Sequence, residues 1–517
     1  MWNVIREFLE QFLLLGLFLS LLYCFLTSTF NFWEIRGVPF RKPIVLFGNY
    51  ASLLLFRKSL PEGIKEMYDW FKDERYFGTF RVKSPILILR DPDLIKNICV
   101  KNFACFSNRG IPVNGQDSLS AHLFNLEGKK WKSLRCKLTP AFSSGKLKRM
   151  FYLLAECGEE FQKLIDSSSD RPFEIRELAA KFTIDVIGSC AFGIQINALT
   201  DEESEFHRAA KKLSRPSYKA TLWRMLRTAM PRLYKLLGVQ VIDPEVTRFF
   251  KNVVSQMLKQ REEQAVKRHD FMDLLIELKD KGTLENESGN GLIGNEEDAD
   301  TAEEIELDEN SIAAQAFVFF AAGYETSSNT IAFCLHELAL NAEIQEKTRR
   351  DIHDAIDSRG GKLTYDAVQD MKYLDMVIAE TLRKYPPASL LSRRCEYQYQ
   401  IPGSKVELPP GMRVIIPIYG LHHDPDYYPN PSMFDPERFT EENKRTRHPY
   451  TYLPFGEGPR NCIGMRFALL QIKVGIISFL RNHRVEVCEK TVTPIKFSRR
   501  SLVTTSEKGF WLKIVQY

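Results

Sequence analysis

The stretch PFGEGPRNCIGMRF, Pro454 to Phe467, decides how the rest of the chain is read. It sets one cysteine, Cys462, among three glycines, two prolines and two arginines, just before an apolar run with helical spacing. A thiolate is an electron-rich ligand for a soft metal centre. Backbone N–H groups and a helix N-terminus beside it favour the ionised sulfur. Gly456, Gly458 and Gly464 lack a Cβ, so backbone can approach the sulfur and a flat ligand closely. Arg460 can pair with a carboxylate, and Phe455 can shield the sulfur from water. The plain alternative is a buried structural cysteine in a turn.

Phe455, Gly458, Arg460, Cys462 and Gly464 together match FxxGxRxCxG, the haem-thiolate signature. On these residues the sequence resembles the cytochrome P-450 family, and within it the microsomal animal type, closest in look to insect detoxification members. The resemblance extends over essentially all 517 residues through four further motifs in the expected order. It implies a predominantly α fold with small β-sheets and haem as cofactor. It makes Cys462 the axial ligand, whose thiolate pushes electron density toward dioxygen cleavage.

The first further motif, WKSLR, puts Trp131 and Arg135 on one helical face. The resemblance implies that they hold a haem propionate, with Arg109 of FSNRG as another contact. IAAQAFVFFAAGYETSS is apolar round most of its circumference, which predicts a buried helix. Gly323, Glu325 and Thr326 interrupt it. Thr326 could merely bond back to a carbonyl one turn earlier. The resemblance instead lays this segment across the distal haem face, with room for dioxygen at Ala322–Gly323 and with Thr326 and Glu325 as the proton-relaying catalytic pair. In ETLRKYPP, Glu380 and Arg383 are three apart on a helix that must end before Pro386 and Pro387. Exposed, such a pair contributes only about 0.2–0.5 kcal/mol. The resemblance buries it, adds Arg438 of FDPERF, and makes the trio a structural lock on the cysteine loop. Arg393 in LLSRRCE becomes a further propionate arginine, with adjacent Arg394 a rival that stays open. Positions matching the family's substrate pocket are Phe124, Phe317, Val318, Ala321, Ala322, Pro387, Ala388, Ser389 and Leu391. They are overwhelmingly apolar, which suits nonpolar ligands, although each taken alone suits a plain core role equally well.

Working outward, composition excludes several classes. Hydrophobic residues make up 44%, enough for a large core, and 71 basic against 66 acidic residues give no general case for nucleic-acid binding. Ten cysteines include no CxxC pair, which removes the zinc-finger and thioredoxin-like readings and suits reduced thiols facing the cytosol. Between Glu10 and Glu34 lie 23 uncharged residues, including FLLLGLFLSLLYCFL, long enough to span a bilayer. No short AxA cleavage site follows, and Arg36, Arg41, Lys42, Arg57 and Lys58 lie downstream. These features predict a retained single-pass anchor in the endoplasmic reticulum membrane, with the body on the cytosolic side. The expected plan is an anchor over residues 1–33, a proline-containing linker over 34–49 and a haem-binding domain over 50–517. Strand-like runs are few, chiefly ILILR near Leu87 and RVIIPI near Val414. Nine of the fifteen residues from Asn295 to Glu309 are acidic, which predicts a solvated loop, with Asp308 or Asn310 capping the next helix. LWRMLRTAMPRLYKLLG, Leu222 to Gly238, reads as an amphipathic helix pair that either packs on the core or touches a membrane surface.

Together these expectations describe a membrane-anchored haem monooxygenase acting on lipophilic xenobiotics, hormones or terpenoids. The chain shows no strong dinucleotide fingerprint, so NADPH electrons are expected through a separate flavoprotein reductase, with cytochrome b5 as a second candidate donor. Lys132, Lys444 and Arg445 are candidate docking contacts on charge alone. Two rival functions are a reductase-independent haem-thiolate isomerase or dehydratase, and a non-catalytic haem carrier or sensor. Intact Glu325 and Thr326 argue against the first, and the presence of all the motifs argues against the second.

Overall fold

The computed structural model describes residues 1–167, 171–194, 196–199, 204–214, 218–264, 270–281 and 307–517. Most of the acidic segment lies outside the described residues. Where the chain resumes, the Asp308 carboxylate accepts from the Ser311 amide at 2.8 Å and caps the following helix, while Asn310 lies inside it.

The helices that matter for the site are α1 (Trp2–Thr27), α2 (Gly128–Leu138), α3 (Ser144–Asp166) and α4 (Ile175–Ile187). They continue with α5 (Tyr218–Ala229), α6 (Pro231–Leu236), α7 (Glu309–Leu340), α8 (Lys372–Lys384) and α9 (Met465–Leu480). The α1 helix buries no residue and is long and apolar enough to cross a membrane. The α7 helix is the opposite kind of apolar helix. Twenty of its residues are buried, because it runs through the body between α4, α8 and α9. Gly475 of α9 permits one of these crossings, since a Cβ there would sit 2.6 Å from Ile331 Cδ1.

Strands β1 (Tyr76–Arg81), β2 (Ser84–Leu89), β4 (Leu391–Arg394) and β5 (Arg413–Ile416) form a sheet in the order β1-β2-β5-β4. The pair β2–β5 is parallel and the other two pairs are antiparallel. A second sheet runs β3 (Pro172–Glu174), β7 (Trp511–Gln516), β6 (His483–Val487). Both strand-like runs singled out in the sequence lie in the first sheet.

The stretch around the expected linker is packed rather than free. Trp33 is fully buried, and its Nε1 donates to the Thr79 carbonyl at 3.1 Å. Gly78 faces the indole so closely that a Cβ would fall 2.4 Å from it. Val38 is buried too, and Phe40 and Gly48 form bridges to β1. Aromatic burial therefore joins the end of the anchor segment and the linker to the body.

Candidate active site

The cysteine loop is shaped by backbone that only glycine adopts readily. Gly456 and Gly458 have φ of 69° and 77°. A Cβ on Gly458 would lie 2.0 Å from the Cys99 carbonyl oxygen, so the loop could not close on its neighbour with any other residue. The Cys462 amide donates to the Phe455 carbonyl at 2.9 Å, and Gly464 caps α9. Burial raises the thiol's pKa, while the Gly464 N–H and the charges of Arg135 and Arg109 oppose that rise. The sulfur thus meets a helix N-terminus, an amide and two cations, the surroundings that hold a thiolate.

Cys462 opens onto a cavity of about 370 Å³. Phe455, Gly464, Arg460, Trp131, Arg135 and Arg109 line it, and Val318, Phe319, Ala322, Gly323, Thr326 and Thr330 of α7 line it as well. Three guanidinium groups line one end, those of Arg109, Arg135 and Arg460, and Arg393, absent from the lining, lies close enough for its charge to act on Arg109 and Arg460. Arg460 stacks over Trp131 at 3.9 Å and donates to the carbonyls of Ser107 and Leu126. Arg109 donates to the carbonyls of Phe124 and Arg460, and Arg135 to the carbonyl and side-chain oxygen of Asn461. No carboxylate hydrogen-bonds to any of the four among the described residues. Burial, followed by their mutual charge, pushes Arg109 and Arg460 well below the ordinary guanidinium value, and burial lowers Arg393. Arginine keeps its proton in proteins, so that push measures a missing counter-charge. Arg393 Nε and Nη2 and Arg460 Nη1 are buried without any partner. A flat group carrying carboxylates, held by a thiolate on its face, fits these residues. A haem meets that description.

Strand parity separates Arg393 from its neighbour. Leu391 lines the cavity, and residues two apart on β4 share a face, so Arg393 is directed the same way. Arg394 lies on the other face, where it is ion-paired with Glu127 at 2.7 Å and Glu396 at 2.9 Å.

On α7, the Thr326 hydroxyl lines the cavity and donates to the Ala322 carbonyl at 2.6 Å, the back-bond expected of a structural threonine. Glu325 is absent from the cavity lining. Its carboxylate turns to α4, where Arg176 Nη2 stands 3.9 Å away. Arg176 Nε also donates to Asn329 Oδ1 at 3.2 Å, and Asn329 Nδ2 donates to the Glu325 carbonyl at 2.7 Å. Burial raises the pKa of Glu325, while Arg176 and Arg224 hold it down.

Of the expected pocket residues, Phe124, Val318, Ala322, Pro387, Ala388 and Leu391 line the cavity, whereas Phe317, Ala321 and Ser389 do not. Helix phase explains the first two. Phe317 is nine residues before Thr326, at roughly 100° each, and so lies on the opposite side of α7. Its ring packs on Phe250 at 5.4 Å, and Ala321 packs into the same core. Ser389 is buried with its hydroxyl 3.3 Å from that of Thr504. Phe319, two turns before Thr326, lines the cavity, and counting the helical phase from Thr326 would have found it. Phe142, Ile187, Cys190, Phe271 and Leu502 also line it, brought in from elements with no local motif.

The trio of Glu380, Arg383 and Arg438 lies off the cavity. Arg383 donates to both Glu380 oxygens, at 2.6 and 2.9 Å, and to the carbonyls of His422, Pro431 and Met433. Arg438 Nε stands 3.6 Å from the same carboxylate. The link onward runs through His422, which the sequence reading missed. Its Nδ1 meets the Arg383 carbonyl at 3.1 Å, and its Nε2 accepts from the Leu453 amide at 2.9 Å. Burial and the Arg383 charge push this imidazole down to about 3, so it stays neutral and keeps a lone pair for Leu453. Leu453 precedes the cysteine loop, so one histidine links the trio to that loop.

Comparison with known proteins agrees with this geometry. The cytochrome P450 family model matches residues 38–513. The chain is similar to "Probable cytochrome P450 6a13" of Drosophila melanogaster, 40% identical and covering 96% of each chain. It is similar to "Cytochrome P450 6B2" of Helicoverpa armigera, 39% identical over 96% of each chain. It is also 38% identical to "Cytochrome P450 6k1" of Blattella germanica, over 96% of this chain and 94% of that one.

Proposed function

This chain belongs to the cytochrome P450 family, and from that premise we propose that it oxidises lipophilic small molecules, xenobiotics foremost, with NADPH electrons delivered by a separate flavoprotein reductase. It is a cytochrome P450 monooxygenase, and its family binds haem through a cysteine thiolate. The observation that carries the substrate class is the cavity wall. Away from the arginine end it is almost wholly aliphatic and aromatic, from Phe124 and Val318 to Ala388 and Leu502.

When bound, the haem supplies dioxygen activation and transfer of one oxygen atom to substrate. The rest is done by the chain. Cys462 would hold the group from one side, and Phe455 and Phe142 would keep water from the sulfur. Arg109, Arg135, Arg393 and Arg460, with Trp131, would take its carboxylates. Gly323 keeps the far wall open beside Ala322. A Cβ there would press on Ile187 at 2.9 Å. Thr326 would release the Ala322 carbonyl and hold a proton at Oγ1 over the cavity. Glu325 would draw that proton from the Arg176 side, since it reaches the cavity only by leaving its ion pair.

The α1 helix would anchor the protein in the endoplasmic reticulum membrane with the body on the cytosolic side. Leu222, Met230, Leu236 and Leu237 of the α5–α6 region are exposed, and they would rest on the same surface. A reductase, or cytochrome b5, would dock on the cysteine-loop side. There Lys132, Lys444 and Arg445 would offer positive charge to an acidic partner, with Lys444 also ion-paired to Glu441 at 3.0 Å.

The test is reconstitution. Purified protein with NADPH-dependent flavoprotein reductase, screened against apolar compounds, should consume oxygen and NADPH and yield products one oxygen heavier. Product formation without reductase, or no oxidation of any apolar compound that shifts the haem spectrum, overturns the reading.

A further inference from the structure

The end of the anchor is stitched to one turn of the first sheet. Lys83, in the turn between β1 and β2, has its Nζ 3.4 Å from the centre of the Phe25 ring, and its carbonyl accepts from the Thr29 hydroxyl. The chain that follows the anchor is both basic and apolar at its surface. Residues 29–58 carry Arg36, Arg41, Lys42, Arg57 and Lys58 against one acid, Glu34. Ile35, Ile44, Leu46 and Leu55 of the same stretch are exposed. Cations interleaved with exposed apolar side chains, where a helix able to span a bilayer ends, suit a negatively charged lipid surface.

Strand parity places two arginines on one face at that end of the sheet. Residues two apart on a strand share a face. Arg81 therefore lies on the face of Phe77 and Arg413 on that of Ile415, the face that packs with Tyr50 and Ile86. β2 runs between β1 and β5, so the two arginine strands are about 10 Å apart, near enough for both side chains to meet one small anion. Neither is neutralised. Arg81 has the Tyr50 ring at 5.3 Å, and its side chain makes no hydrogen bond or ion pair among the described residues. Arg413 donates to the Gly110 carbonyl at 2.9 Å and has no ion pair among those residues. Burial, then the charge of Arg81, pushes Arg413 down to about 10, although Tyr50 and Glu127 oppose that push. Arg394, opposite Arg413 on β4, is by contrast ion-paired with Glu127 and Glu396. Tyr50 is 4% exposed, and its hydroxyl is buried without a partner, which is rare for such a group. Both Arg81 and Arg413 are part-exposed, so the pair opens to the outside.

We propose that Arg81 and Arg413, standing over Tyr50, seat the phosphate of an anionic phospholipid beside the end of the anchor. The seat rests on the reading of α1 as a membrane anchor and adds to it a preference among lipids. Two guanidinium forks suit a phosphate, which offers several oxygens to paired donors. An anionic headgroup fits better than a zwitterionic one, because a choline ammonium would bring a further cation to a pair already short of counter-charge.

The test is binding of dioctanoyl phosphatidic acid, kept below its aggregation concentration, to the detergent-solubilised full-length holoenzyme at fixed ionic strength, read by native mass spectrometry. Dioctanoyl phosphatidylcholine and glycerol 3-phosphate are titrated beside it. Phosphatidic acid should bind about tenfold more tightly than either. Arg81→Gln and Arg413→Gln, each checked for haem content and melting temperature, should each weaken phosphatidic acid about tenfold. Arg57→Gln, an equal loss of charge at an exposed residue of the basic stretch, should stay within about twofold of the parent. If Arg413→Gln does not fold, Arg81→Gln decides alone. Equal affinity for the two lipids overturns the seat. So does an Arg57→Gln loss as large as that of Arg81→Gln, the mark of diffuse attraction to a basic surface. Glycerol 3-phosphate binding as tightly as phosphatidic acid overturns the lipid assignment, since the site would then hold any phosphate. Release of the full chain from membranes by carbonate sinks the anchor reading and this inference with it, whereas a failed lipid titration leaves the anchor reading standing.

Discussion

Arg383 and Arg393 are both buried guanidinium groups on neighbouring stretches of chain, and the fold treats them oppositely. All five N–H bonds of Arg383 are used, two on Glu380 and three on backbone carbonyls. Arg393 makes one, to the Ser392 carbonyl at 3.1 Å, and leaves Nε and Nη2 bare. Burying an unpaired cation is costly, so the two states have different meanings. A saturated arginine is finished by the chain itself and serves folding. On the reading proposed above, the bare N–H groups of Arg393 would be finished by the carboxylates of the bound haem.

That contrast can be broken at several points. The largest effect is expected at Cys462, which belongs with the open set because its sulfur faces the cavity. Cys462→Ser should eliminate the long-wavelength carbon-monoxide band of reduced, thiolate-ligated haem. Cys190 also lines the cavity, so Cys190→Ala is the informative control and should retain the band. In the closed set, Glu380→Gln leaves Arg383 buried without its counter-charge. It should cost about 3–5 kcal/mol in stability, seen as a lower melting temperature and little folded, haem-containing protein.

The distal helix sharpens the comparison, because there the pairing rule and the proposed roles disagree. Thr326 and Glu325 both have partners within the chain, so pairing alone would class them as structural. If Thr326 works by letting go of Ala322, Thr326→Ala should lower product formed per NADPH on the order of 10²-fold, with hydrogen peroxide making up the difference. A variant that melts earlier but keeps the parent's product-to-NADPH ratio would show that the back-bond is its whole role. Arg176→Gln should act more gently. Removing a positive charge that lowers the Glu325 pKa moves that pKa further up, so the limb of the pH profile that reports Glu325 should shift to higher pH. An unmoved profile would detach Glu325 from proton delivery.

Much of this was legible in the sequence because the decisive chemistry is local. The cysteine loop, WKSLR and ETLRKYPP each carry their geometry within one turn or one loop. Phe317 and Ala321 were misplaced although the signal was present, since their phase relative to Thr326 puts them off the cavity. Trp33 stands at the end of the apolar run, and its burial against β1 has no local signal. His422, Arg176 and the cavity residues from α4 had no local signature at all. Their roles arise where segments far apart in the chain pack against α7 or the cysteine loop, and spacing along one segment cannot report that.

The most direct test compares two adjacent residues of the same type. Arg393 and Arg394 share one strand, one with bare N–H groups and one ion-paired to Glu127 and Glu396. The measurement is the rate of haem loss to an excess of a haem-binding acceptor protein, for Arg393→Met and Arg394→Met. Losing charge-assisted bonds to a carboxylate at Arg393 should speed loss about 10-fold to 100-fold, while Arg394→Met stays within about twofold of the parent. The reverse pattern, or equal effects, would contradict the claim that unpaired buried donors mark the residues that hold the cofactor.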